Sequence, residues 1–123
     1  MSNLDQKRAR QAFNDIEGVD GDRNVENKEY GSIARSLPMM LQTNGLAQTL
    51  AFLRSKGASS QPHLALNNHL SHWLNETIGS RRTGDFLDWI VDQRPPIYRH
   101  AGNEAIEFSI WLRRFAEAKG WDN

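Results

Sequence analysis

The histidines are the side chains of this sequence best suited to metal binding. His63, His69 and His72 lie close together, and the three-residue spacing of the last two places both imidazoles on one side of a helix. A zinc site needs further His, Cys or carboxylate ligands, and none stands at a ligand spacing here. His69 instead borders the apolar positions Leu66 and Leu70. The spacing therefore favours a histidine at the edge of a helical core, and no metal site is predicted.

Catalytic sites and a calcium site have weaker support in the sequence than a histidine metal site. His100 beside Arg99 has the residue type of a general base in a nuclease, but no partner for it is evident. The segment from Asp20 to Asn24 resembles the start of a calcium loop, yet the sixth position is Val25 and the twelfth is Gly31, where such loops need glycine and glutamate. Zinc-protease, phosphate-loop and nucleophile-elbow motifs are absent from the sequence. We predict a protein that is not an enzyme and has no cofactor.

The charged residues point to local patches. Fifteen Lys and Arg balance fifteen Asp and Glu, so the chain has no global attraction for a polyanion. Eleven of the cations are arginines, whose planar fork fits phosphate or carboxylate. The chain has no cysteine, which excludes disulfides and thiolate ligands and suits a reducing cytoplasm. No signal peptide or membrane span is apparent.

The elements that would position these side chains are helices. A chain of 123 residues suits one domain, 1–123, which we predict to be a compact all-α bundle of about five to seven helices. Asn3 and Gln6 have the spacing of a capping box for a first helix over about 4–17. Flexible loops are expected near 18–24 and 57–61. Thr83 is predicted to cap a short helix that carries Phe86 and Trp89.

The most apolar stretch, LPMMLQTNGLAQTLAFL at 37–53, is interrupted by polar residues. Pro38 is expected to kink or restart a helix, and Gly45 to end it in the left-handed conformation. A new helix would follow, with Gln48 and Thr49 facing outward. This Gly-centred turn followed by a helix is also compatible with a helix-turn-helix DNA-binding regulator, which is our alternative interpretation.

The last helix, over about 97–119, has a continuous apolar stripe, and its opposite side is not plainly polar. Ile106 and Ile110 point away from the stripe, so that side is either central or covered by a partner. Trp111 and Trp121 are also expected outside the main stripes.

Three blocks carry a family resemblance: QKRARQAF at 6–13, the block at 30–53 with its LP and NGL.QTLAFL pattern, and the block at 98–116 that begins YRHAGNEA. Together they span nearly the whole chain, which resembles the small subunit of the Cmr complex, the type III-B CRISPR RNA-guided effector. The resemblance implies a non-catalytic helical subunit of a cytoplasmic antiviral defence complex. Its partners would be the backbone and large subunits, further copies of itself in an inner filament, and the guide RNA and target RNA. The isolated protein is expected to be monomeric.

Cationic and amide side chains that are expected at the surface could contact RNA phosphates and riboses without reading the base sequence. The candidate RNA contacts are Lys7, Arg8, Arg35, Gln42, Gln48, Arg54, Arg99, Arg113 and Arg114. The candidate subunit-interface residues are Ile106, Ile110 and Trp111.

Overall fold

The computed structural model describes residues 3–79 and 84–121, and these residues form six helices and no strand. The helices are α1 Leu4–Asp20, α2 Asn27–Asn44, α3 Leu46–Gly57, α4 Gln61–Thr77, α5 Phe86–Ile90 and α6 Pro95–Ala118. The all-α prediction and its number of helices are confirmed. Thr83, the predicted cap of the short helix, lies outside the described residues.

The start of α1 is set by the predicted capping box. The side chain of Asn3 accepts a hydrogen bond from the Gln6 backbone N–H at 2.7 Å, and the Asn3 N–H donates to the Gln6 side chain at 2.9 Å. The helix continues through Gly18 to Asp20, beyond the predicted end at 17, because Val19 belongs to the buried side. The connection to α2 is therefore short, 21–26.

α2 runs without interruption through Pro38 instead of restarting there. The proline removes one helical N–H donor. Leu37 and Leu41 on either side of it are almost fully buried, and we attribute the continuity of α2 to this packing. A single residue, Gly45, separates α2 from α3.

α6 is the central helix of the bundle. α2 and α1 pack along it, α4 packs mainly against α3 and α2, and α5 contacts α3 and α4. The largest fully buried side chains come from all six described helices and form one core: Tyr30, Phe86, Phe108, Ile16, Leu37, Leu46, Leu50, Leu53, Leu66, Leu70, Leu74 and Ile90.

A buried carboxylate joins three of the helices. Glu104 on α6 is only 4% exposed and accepts two hydrogen bonds from the Arg8 guanidinium of α1, at 2.6 and 2.8 Å. It also accepts the Trp73 indole N–H of α4 at 2.9 Å, and this indole stacks on Phe108. The bonds to Glu104 raise the pKa of Arg8, so its charge is fixed.

The chain after α6 folds back onto α2. Trp121 is buried and meets the Tyr30 ring edge to face, which corrects the expectation that Trp121 lies outside the main stripes. Gly31 is required at this contact because a Cβ there would overlap the Trp121 backbone.

Candidate functional site

A groove between α2 and α6 is lined by half of the predicted site residues. Its central part encloses about 260 Å³ and is lined by Pro38, Met39 and Gln42 of α2 and by Ile106, Ile110, Arg113 and Arg114 of α6. A second depression of about 400 Å³ shares Gln42 and Ile106 with it. This depression extends to the α2–α3 corner, where its lining includes Gly45, Tyr98, Arg99, Gly102 and Asn103. We call the combined surface the α2–α6 groove.

The corner of the groove, where α2 meets α3, is stabilised by hydrogen bonds to the side chains of Tyr98 and Thr49. Gly45 has φ 84° and ψ 169°, a positive φ as expected of glycine but with an extended ψ instead of the left-handed helical value. The backbone N–H of Ala47 donates to the Tyr98 hydroxyl at 2.9 Å. Thr49 is fully buried and its hydroxyl lies 2.8 Å from the Gly45 carbonyl, to which it donates. The expectation that Thr49 faces outward is wrong; Gln48 is exposed as predicted.

The arginines of the groove differ in how they are engaged. Arg113 and Arg114 both pair with Glu117 at 3.2 Å, and the bond from Arg113, followed by that from Arg114, lowers the pKa of Glu117. Such exposed pairs are weak and exchange readily with another anion. Arg99 and Arg35 are exposed and have no ion pair or hydrogen bond to any residue in 3–79 or 84–121. Arg35 lies one turn before Met39, on the same side of α2.

The remaining candidates lie elsewhere. Arg8 is bound to Glu104, and Arg54 forms an ion pair with Asp85, so these two arginines are engaged within the chain. Lys7 lines an open depression of about 640 Å³ beside α1. Whether these three residues contact RNA stays a prediction.

Trp111, a candidate interface residue, is half-buried on the α1 side of α6. It stacks on Phe115 at 5.5 Å, and its indole N–H donates to Asp5 at 2.9 Å. This hydrogen bond lowers the pKa of Asp5. Trp111 is therefore outside the groove that contains Ile106 and Ile110.

The histidines do not assemble a metal site in the described part of the chain. His69 is at the core edge, as predicted, and its Nδ1 lies 2.8 Å from the Tyr30 hydroxyl. Burial lowers the pKa of His69 to about 4. His72 and His100 are exposed, and no cluster of three potential ligands occurs among the described residues.

The family model for "CRISPR-associated protein (Cas_Cmr5)" matches residues 4–119 of this chain. The chain belongs to the Cmr5 family. This confirms the resemblance carried by the three sequence blocks. A curated relative, the CRISPR system Cmr subunit Cmr5 of Thermus thermophilus, is 30% identical over 90 residues, which is 73% of this chain and 74% of the relative. A crystal structure of a CRISPR-associated Cmr5 family protein from the same organism superposes with a TM-score of 0.78 at 26% identity, and covers 96% of this chain and 97% of that one.

Membership of the Cmr5 family does not favour the helix-turn-helix alternative. The corner itself also argues against it, because one residue joins α2 to α3 where that motif has a turn of about three to four residues. No helix in the described part of this Cmr5-family chain is both long and apolar enough to span a membrane.

Proposed function

We propose that this Cmr5-family chain is a non-catalytic architectural subunit of a cytoplasmic type III-B CRISPR effector complex. Acting as a single domain over 1–123, it contacts the guide–target RNA duplex and neighbouring protein subunits. The observation that carries the proposal is the α2–α6 groove, where exposed cations and amides adjoin exposed apolar side chains.

The corner end of the groove is the part suited to RNA. Arg99, Gln42 and Asn103 present one guanidinium and two amides beside the start of α3. Gly45 supplies no side-chain cap to α3 and, in the described part of the chain, the Tyr98 hydroxyl accepts from Ala47 only, so the other backbone N–H groups of the first turn and the helix dipole favour an anion there. These groups bind phosphate or ribose oxygens and do not read bases, which suits a subunit that must accept any guide.

The central part of the groove suits a protein neighbour. Met39 is 65% and Ile110 is 38% exposed, and Ile106 lies half-buried between the helices. Apolar side chains grouped on a surface favour contact with another protein. The backbone and large subunits of the complex and further copies of this chain are the proposed neighbours.

RNA binding is tested with the purified chain and a guide–target duplex, by fluorescence anisotropy over a range of salt concentrations. Arg99→Ala and the double variant Arg99→Ala/Gln42→Ala, both at the corner end, are compared with Arg23→Ala, an exposed arginine in the 21–26 connection. Each lost phosphate contact weakens binding and reduces the salt slope by about one. Equal effects in Arg23→Ala, or none in the groove variants, would contradict the proposed surface.

The architectural role is tested by assembly. The complex is reconstituted from its other subunits and guide RNA, with and without this chain, and target cleavage is measured. Stoichiometric incorporation and impaired assembly without the chain are expected. A complex that forms and cuts target RNA equally well without it would refute the role. Cleavage by the purified chain alone that is lost in His100→Ala would refute the non-catalytic assignment.

A further inference from the structure

Met39 is the most exposed of the large apolar side chains in the described residues, at 65%. It projects from α2 beside Ile110, and Arg35, Arg113 and Arg114 lie around it with Glu117 as the nearby carboxylate. Met39 is therefore an exposed apolar side chain whose surroundings carry a net positive charge.

A concave apolar feature lies on the other side of α6. A pocket of about 280 Å³ is lined by Phe13 and Ile16 of α1 and by Phe115 and Ala118 of α6, with Glu17 and Lys119 at its edge. The two phenylalanine rings meet edge to face at 5.7 Å, and Phe13 is 42% exposed. We call this the α1–α6 pocket.

The edge of the α1–α6 pocket is acidic. Lys119 pairs with Glu17 at 2.8 Å and with Asp20 at 3.1 Å, so two carboxylates share one ammonium. One negative charge remains unbalanced within this group. Its sign is complementary to the arginines around Met39.

We infer that Met39 of one copy of this chain docks in the α1–α6 pocket of a second copy. A thioether is adaptable and makes favourable contacts with aromatic rings, which the pocket supplies through Phe13 and Phe115. Arg113 and Arg114 then face the Glu17 and Asp20 carboxylates of the other copy. The inference rests on the proposed function, in which copies of the chain lie side by side.

The contact joins two different surfaces. Ile110 and Phe115 are five residues apart on α6 and hence point roughly 140° apart around the helix. After pairing, the copy that inserts Met39 therefore keeps a free pocket and the copy that receives it keeps a free Met39, and the contact can repeat along an array. A contact centred on one side chain is weak in the free chain, which agrees with the expectation of a monomer in dilute solution.

The absence of native cysteine makes the contact directly testable by disulfide cross-linking. Met39→Cys and Ala118→Cys are prepared in the full chain, mixed at high concentration without RNA, and oxidised. Disulfides form only where the two Cβ atoms approach to about 3.5–4.5 Å. The expected product is a Met39→Cys/Ala118→Cys heterodimer, several-fold more abundant than either homodimer. Val91→Cys, 54% exposed in the segment after α5, is the matched control partner.

A Met39→Cys homodimer in equal yield would overturn the inference, because it indicates a two-fold contact. A heterodimer yield no greater than with Val91→Cys would also overturn it. Arg113→Glu/Arg114→Glu in the Met39→Cys chain is expected to lower the yield, and Glu17→Arg/Asp20→Arg in the Ala118→Cys chain to restore it.

RNA affinity is measured separately on Ala118→Asp, which alters the pocket and none of the proposed RNA contacts. A Met39→Cys/Ala118→Cys heterodimer yield no greater than with Val91→Cys, together with RNA binding by the native chain, refutes the contact alone. Retained cross-linking with no RNA binding by the native chain refutes the RNA role alone.

Discussion

Asp15 and His69 are partly buried titratable groups with opposite pKa shifts, so their pH-dependent effects on the free energy of unfolding should largely cancel. Asp15 of α1 is half-buried; its Oδ1 accepts from Gln11 at 2.9 Å, and its Oδ2 is buried with no partner among the described residues. Burial raises the pKa of Asp15 from 3.8 to about 6. Burial lowers the pKa of His69 from 6.5 to about 4. Tyr30 and His72 are the titratable neighbours, on α2 and α4.

The two groups affect the free energy of unfolding with opposite sign. The folded state holds the Asp15 proton more tightly than the unfolded chain does, so acidification from about pH 6 to pH 3.8 stabilises the fold. The folded state holds a His69 proton less tightly, so acidification from pH 6.5 to about pH 4 destabilises it. Each difference exceeds two pH units and corresponds to about 3 kcal/mol.

Asp15→Asn should therefore reveal the His69 contribution. Near neutral pH the variant is expected to be more stable than the native chain by up to about 3 kcal/mol, because the cost of the buried carboxylate is gone. This advantage should disappear as the pH falls to about 4. His69→Gln, which keeps an acceptor for the Tyr30 hydroxyl, should show the reverse trend and gain on the native chain as the pH falls.

The measurement is urea unfolding monitored by tryptophan fluorescence at pH 7, 6, 5 and 4 and constant ionic strength. The difference between variant and native chain removes the contribution of the other carboxylates. Asn14→Ala, an exposed uncharged position on α1, is the control and should give a constant offset. An Asp15→Asn difference that does not change with pH, or that grows on acidification, would refute the reasoning.

Three further substitutions test the packing. Among the described residues, Glu104→Gln leaves Arg8 with only the exposed Asp5 carboxylate, 3.2 Å away, as its ion-pair partner and should cost about 3 kcal/mol in urea unfolding, whereas a cost below about 1 kcal/mol would contradict the role of Glu104. Gly31→Ala should displace the Trp121 backbone and destabilise by about 1–3 kcal/mol, with altered near-ultraviolet circular dichroism; an unchanged spectrum would contradict the close contact. Tyr98→Phe removes the acceptor at the start of α3, should cost about 1 kcal/mol, and should speed hydrogen exchange of that amide; unchanged exchange would count against the bond.

Local features of the sequence predicted local structure well. The capping box of α1 depends on Asn3 and Gln6 alone, so its signal is complete within four residues. The apolar stripe of α6 likewise predicted its buried side, and the position of Ile106 and Ile110 away from that stripe indicated the α2–α6 groove.

Features that depend on distant residues were missed. Arg8 is as plausible a phosphate ligand as Arg99 in the sequence, and only the fold brings it to Glu104, 96 residues away. Thr49 was expected outside because threonine is polar; its acceptor, the Gly45 carbonyl, is only four residues away, but Thr49 is buried by the packing of α3 against other helices. The ion-pair partner of an arginine is thus set by the tertiary structure, and the spacing of residues in the sequence does not predict it.

The single-residue joint at Gly45 also bears on how relatives of this chain can be compared. One inserted residue at the corner would turn α3 by roughly 100° about its axis and carry Leu46, Leu50 and Leu53 out of the core. Insertions and deletions among related chains should therefore fall in other connections, such as 21–26 or 58–60. The corner is consequently a fixed reference point from which distantly related sequences can be aligned in both directions.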